Sequence, residues 1–167
     1  MSKITFQSNP VNVIGEFIKT GIQAPDFTLT KGNLDDFRLS ENKGKYLLLN
    51  IFPSLDTGVC ATSVRKFNKL AADMPNTTVL AISKDLPFAQ GRFCSVEGIE
   101  NVIPLSDYKY TSDFAEKYGV LMTDGPLMGL LARSVIVIDP EGKVIYAELV
   151  PEIVQEPNYD AALAAIK

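Results

Sequence analysis

Residues 45–72 read KYLLLNIFPSLDTGVCATSVRKFNKLAA. Positions 45–52 form a continuous run of the kind that fills a strand buried on both faces. From 59 to 72, Val64, Phe67, Leu70 and Ala71 recur at helical spacing, while Arg65, Lys66 and Lys69 point elsewhere. A second apolar run, TTVLAIS at 77–83, follows the helix. Together these pieces make a βαβ unit, whose crossover should be right-handed.

Outward from this unit the pattern stays layered. LPFAQGRFC predicts a short helix from about 86 to 94, with Gly91 weakening it. NVIPLSD reads as a short extended piece, and SDFAEKYG as a helical turn or two closed by Gly119. SVIVID and KVIYAEL are strands joined by DPEG, a type I turn composition. NYDAALAAIK is a terminal helix. Upstream, KITFQ and NVIGEFI flank SNPV as a hairpin, and APDFTLT with LDDFRLS adds two short alternating strands. The fold class expected is α/β: a layered domain with a mixed central sheet flanked by helices and an N-terminal β-hairpin. No linker or repeat interrupts it, so residues 1–167 are expected to be a single domain.

Composition excludes several functions. The chain has no histidine, so triads and Cys–His nucleophile pairs that use imidazole are ruled out. Two cysteines cannot fill a four-ligand zinc site without histidine, and they are too few for a disulfide scaffold. Neither common nucleotide-binding glycine fingerprint occurs. A net charge of -4 gives no reason to expect nucleic acid or an anionic membrane as partner. The start, MSKITFQSNP, lacks the blocks of a signal peptide, so a cytoplasmic location is expected. Covalent chemistry, if any, runs through sulfur.

Cys60 falls at the top of the first central strand, in the first turn of the next helix. Asp56 or Thr57 is the candidate N-cap, and Gly58 lets the backbone approach a ligand. Free amides and the helix dipole favour an anion there, so the thiolate form gains stability. The competing reading is a small buried apolar residue, the commonest fate of a lone cysteine. On position alone both readings stand.

The octapeptide PSLDTGVC at 53–60 carries Pro53, Thr57 and Cys60 in the order P-x-x-x-T-x-x-C, which resembles the peroxidatic signature of the peroxiredoxins. The resemblance implies a thioredoxin-like domain in which the Cys60 thiolate attacks a hydroperoxide. It also implies that the Thr57 hydroxyl orients the substrate and that Pro53 shields the pocket. The family uses an arginine at the start of a later strand. Of the four arginines here (Arg38, Arg65, Arg92 and Arg133), Arg133 directly precedes SVIVID and is the best match. Read without the family, Arg133 is a surface charge ending a strand.

Cys94 follows Cys60 after 33 intervening residues, in DLPFAQGRFCSVEGIENV. That segment resembles the resolving-cysteine region of the thiol peroxidase group, the atypical two-cysteine peroxiredoxins. Alone, it would read as a second inert core thiol. The resemblance spans nearly the whole chain. It implies a Cys60 sulfenic acid, an intrachain Cys60–Cys94 disulfide, and thioredoxin as reductant. It further implies a homodimer and no metal, haem, flavin or other cofactor. A thioredoxin-like scaffold with unreactive thiols and a peroxide sensor without multiple turnover are the competing functions.

Overall fold

The structure, a computed structural model, describes residues 2–166. The strands are β1 (Ser2–Phe6), β2 (Asn9–Val13), β3 (Thr28–Lys31), β4 (Asp36–Arg38), β5 (Tyr46–Ile51), β6 (Thr77–Ser83), β7 (Val102–Ser106), β8 (Ser134–Ile138) and β9 (Val144–Leu149). The helices are α1 (Gly58–Ala71), α2 (Pro87–Glu97), α3 (Phe114–Lys117) and α4 (Tyr159–Ala164). β3 to β9 form one mixed sheet in the order β4-β3-β7-β6-β5-β8-β9, and β1 and β2 form a separate two-stranded sheet. Among the described residues no helix is long and apolar enough to cross a membrane.

β5 sits between β6, parallel to it, and β8, antiparallel to it. Its alternation sorts the core into two layers. Leu47, Leu49 and Ile51 join Leu80, Ile82, Ile136 and Phe114 on one face. Leu48 and Phe52 join Val64, Phe67, Val135 and Val137 on the other. β5–α1–β6 and β6–α2–β7 step across the sheet in the same direction, so right-handed crossovers place α1 and α2 on the same face. Cys60 and Cys94 both belong to the cluster on that face.

Two expectations need correction. The second hairpin strand is Asn9–Val13, earlier than NVIGEFI suggested, and the turn is Gln7–Ser8 with φ of 50° and 69°. Two successive left-handed residues match the right-handed twist of a tight hairpin. Pro10 is tolerated because β2 is an edge strand. Gly15, with φ of 60°, then turns the chain away from the extended path expected for GEFI. The second correction concerns α2, which continues past 94 to Glu97 and stops at Gly98, a left-handed cap with φ of 66°.

Candidate active site

Thr57 is the N-cap of α1, which makes Cys60 the third helical residue. The Thr57 side chain does not cap the helix. Its hydroxyl instead donates backward to the Ser54 carbonyl at 3.0 Å, closing the loop on itself. With its one proton committed there, Thr57 Oγ1 keeps its lone pairs to accept a hydrogen bond. The Cys60 carbonyl accepts from Ser63 Oγ at 2.8 Å, and Asn50 on β5 donates to that same hydroxyl at 3.2 Å. A buried polar chain thus runs from the central strand to the cysteine's turn.

Cys60 is fully buried, and Arg133 Nη2 donates to its Sγ at 3.2 Å. Arg133 is only 1% exposed, which removes the surface-charge alternative. Its Nε donates to the Ile153 carbonyl at 2.7 Å, while Nη1 has no partner among the described residues. A buried guanidinium needs anionic company, because an uncompensated charge away from water is costly. The atom placed beside it is Cys60 Sγ.

Arg133, Pro53, Thr57 and Gly58 line one cavity of about 160 Å³ together with Phe6, Val59, Leu127, Ile153 and Val154. Apart from Arg133 and Thr57 this lining is apolar. Cys60 itself is not part of it. The guanidinium is the wall shared by the cavity and the sulfur. A Cβ added at Gly58 would meet nothing within 4 Å, so the glycine leaves space at the helix's first residue. A larger polar groove of about 380 Å³, lined in part by Asp26, Asp36, Lys109 and Asp113, holds neither thiol nor arginine.

The hairpin supports this cavity. Thr5 N–H donates to the Pro151 carbonyl at 2.8 Å, and Ile153 N–H donates to the Thr5 carbonyl at 2.9 Å. The Glu152 carboxylate accepts from the Ser8 and Val154 amides and from the Thr5 hydroxyl. These bonds, the Ser8 amide's foremost, hold its carboxyl below the usual range. β1 therefore fixes the 151–154 segment, whose Ile153 carbonyl aims Arg133.

Asp85 is a site residue that the sequence reading does not single out. Its carboxylate accepts from Ser54 Oγ at 2.8 Å, from the Leu55 amide at 2.8 Å and from Ser83 Oγ at 2.7 Å. It ties the loop before Cys60 to the end of β6. Only the Ser-x-Asp order just past a strand end hints at it.

Cys94 lies apart from the cavity, in the last turn of α2, partly buried against the cluster that contains Cys60. Both thiols are free. Burial pushes the Cys94 thiol up, so it stays protonated at neutral pH in this conformation.

Residues 19–163 match the Redoxin family model. The chain is 55% identical over 166 residues to the thiol peroxidase of Mycobacterium tuberculosis, covering 99% of each protein. It is 56% identical over 166 residues to the thiol peroxidase of Corynebacterium glutamicum, with the same coverage. The structure also aligns with that of a peroxiredoxin-like protein from Aquifex aeolicus, with a TM-score of 0.92 and 43% identity. That alignment covers 98% of this chain and 95% of the other.

Proposed function

The chain belongs to the Redoxin family and, within it, to the thiol peroxidases with their thioredoxin-like fold; from that premise we propose that this peroxidase reduces hydrogen peroxide and alkyl hydroperoxides through Cys60, with Cys94 as the resolving thiol. The observation that carries the proposal is the contact of Arg133 Nη2 with Cys60 Sγ at 3.2 Å, while Arg133 also lines the apolar cavity.

In the first step the Cys60 thiolate attacks the terminal oxygen of R–O–OH. The O–O bond breaks, an S–O bond forms, and sulfur loses two electrons to become sulfenic acid. The departing alkoxide takes a proton from solvent and leaves as alcohol, or as water when R is hydrogen. Arg133 favours the attacking thiolate by a charge-assisted hydrogen bond, and its spare Nη1–H groups meet charge developing on the leaving oxygen. Thr57 Oγ1 accepts from the hydroperoxide proton. Pro53, Phe6, Leu127 and Val154 exclude water and offer an alkyl group apolar contact.

In the second step Cys94 sulfur attacks Cys60 sulfur, the S–O bond breaks and water leaves, giving an intrachain disulfide. An external dithiol then reduces that bond by exchange and becomes a disulfide itself. Thioredoxin as that dithiol, a homodimeric assembly and one catalytic domain over residues 1–167 belong to the same proposal on the strength of the family resemblance. A reducing compartment such as the cytoplasm suits a cycle that must return both thiols.

Steady hydroperoxide consumption with thioredoxin, its reductase and a nicotinamide donor tests this reading. The proposal expects many turnovers per chain. A single turnover would make the protein a sensor, and none would make it a scaffold.

A further inference from the structure

α2 is held unevenly. Its buried residues, Pro87 and Gln90, both lie in its first half. Gln90 Nε2 donates to Ser83 Oγ at 3.1 Å and to the Leu105 carbonyl at 2.9 Å, pinning that end to the sheet. From Gly91 to Glu97, the half that carries Cys94, no residue is fully buried, and Val96 is 78% exposed. A groove of about 150 Å³, lined by Asp56, Arg92, Phe93, Val96 and Glu97, separates this half from the loop before Cys60. Apolar packing alone therefore secures it poorly.

Polar bonds to α1 do the rest. Arg65 Nε and Nη2 donate to the two Glu97 carboxylate oxygens at 2.9 and 2.8 Å, a bidentate pair. One turn further along α1, Asn68 Oδ1 accepts from the Asn101 amide at 2.8 Å. The Gly98 and Ile99 amides both close onto the Cys94 carbonyl, so this turn moves as a unit. The two attachments bracket it on either side of Gly98 and join the helix of one cysteine to that of the other.

We infer that Arg65 and Glu97, backed by Asn68 and Asn101, form a clasp that sets how often the Cys94 turn opens, and thereby how Cys60 sulfenic acid divides between disulfide and sulfinic acid. The inference rests on Cys94 being the resolving thiol. While the clasp is closed, the sulfenic acid meets only more hydroperoxide. A second R–O–OH then transfers its terminal oxygen: the O–O bond breaks, a second S–O bond forms, alcohol leaves, and sulfur is oxidised by two more electrons to sulfinic acid. When the clasp opens, Cys94 captures the sulfenic acid and water leaves. Arg65 and Glu97 touch no reacting atom; they are positioning residues.

The test compares wild type with Glu97→Gln and with the charge-swapped double variant Arg65→Glu/Glu97→Arg, using acid quench and peptide mass spectrometry after cumene hydroperoxide. Glu97→Gln should form the Cys60–Cys94 disulfide about two- to fivefold faster, the range an exposed ion pair supports, and lower the sulfinic fraction in proportion. The charge swap should return both towards wild type. Added salt should speed disulfide formation in wild type and leave Glu97→Gln unchanged. Sulfenic acid formation, read on a Cys94→Ser background, should not depend on residue 97. A merely structural pair would lower the melting temperature without moving this partition. Disulfide formation at wild-type rate or slower in Glu97→Gln overturns the clasp and leaves the cycle standing. Persistent sulfenic acid with no disulfide in wild type overturns the resolving role of Cys94, and the clasp with it.

Discussion

Arg133 Nε donates to the Ile153 carbonyl at 2.7 Å, and that bond decides which guanidinium nitrogens remain for chemistry. With Nε held, Nη2 reaches the sulfur at 3.2 Å and Nη1 stays uncommitted. A lysine could not reproduce the arrangement, because one ammonium cannot serve two acceptors through a planar fork. Arg133→Lys and Arg133→Met should both lower kcat/KM for hydroperoxide by about 10²-fold or more, the scale expected when a donor to developing charge is removed. Arg133→Met also strands the Ile153 carbonyl, at a cost of about 1–3 kcal/mol in stability. Stopped-flow peroxidase kinetics and chemical denaturation check the two effects separately. A wild-type rate in Arg133→Met would return the residue to a structural role.

Asp85 should matter through position alone. Asp85→Ala removes the acceptor for the Leu55 amide and for Ser54 and Ser83, and should cost about 1–3 kcal/mol. The loop that delivers Cys60 loses its anchor, so the peroxide rate should fall while Cys94 alkylation stays as in wild type. Equal loss of reactivity at both thiols would point to global unfolding instead.

The heart of the fold was legible because independent signals agree over residues 45–83: two apolar runs, a helical period between them and turn residues at the joins. The sequence puts the hairpin's second strand too late because Gln7 and Ser8 are not the residues that usually mark such a turn, and Pro10 speaks against a strand unless its edge position is known. Arg133 could be singled out only through a family pattern. Its partners are a backbone carbonyl, which no side-chain pattern records, and a cysteine 73 positions away. Asp85 escapes the sequence for the same reason, since one of its three carboxylate bonds is to the Leu55 amide. Glu97 lies beyond the helix end near 94 that LPFAQGRFC predicts, in the turn that closes α2.

Glu152 supplies a pH signature. Its folded-state carboxyl is held below the usual value, chiefly by the Ser8 amide. A depressed acid stabilises the fold above its unfolded pKa and loses that contribution as pH falls through the folded one. Glu152→Gln should therefore melt below wild type at pH 7, and the gap should close in the acid range. A gap that stays constant down to acid pH would mean the carboxylate charge is not what holds the 151–154 segment to β1.

Disulfide formation should require local opening. Cys60 is the third residue of α1 with its sulfur on Arg133, and Cys94 sits in the closing turn of α2. A disulfide needs Cα atoms within about 4.4–6.8 Å and converging Cβ vectors, which residues anchored in two separate helices seldom offer. Amide hydrogen exchange on the oxidised protein should show lower protection than the reduced protein near 58–64 or 90–97, with β8 unchanged. Equal protection in both cysteine segments would mean the thiols already stand in bonding geometry.

The most direct measurement of the central claim is the fate of the two sulfurs after one equivalent of hydroperoxide, followed by alkylation and peptide mapping of wild type, Cys60→Ser and Cys94→Ser. Wild type should yield one Cys60–Cys94 disulfide within a single chain. Cys94→Ser should yield sulfenic or sulfinic acid at Cys60, and Cys60→Ser should leave Cys94 alkylatable and the hydroperoxide unconsumed. Hydroperoxide reduction at the wild-type rate by Cys60→Ser would contradict the assignment of Cys60 as the nucleophile.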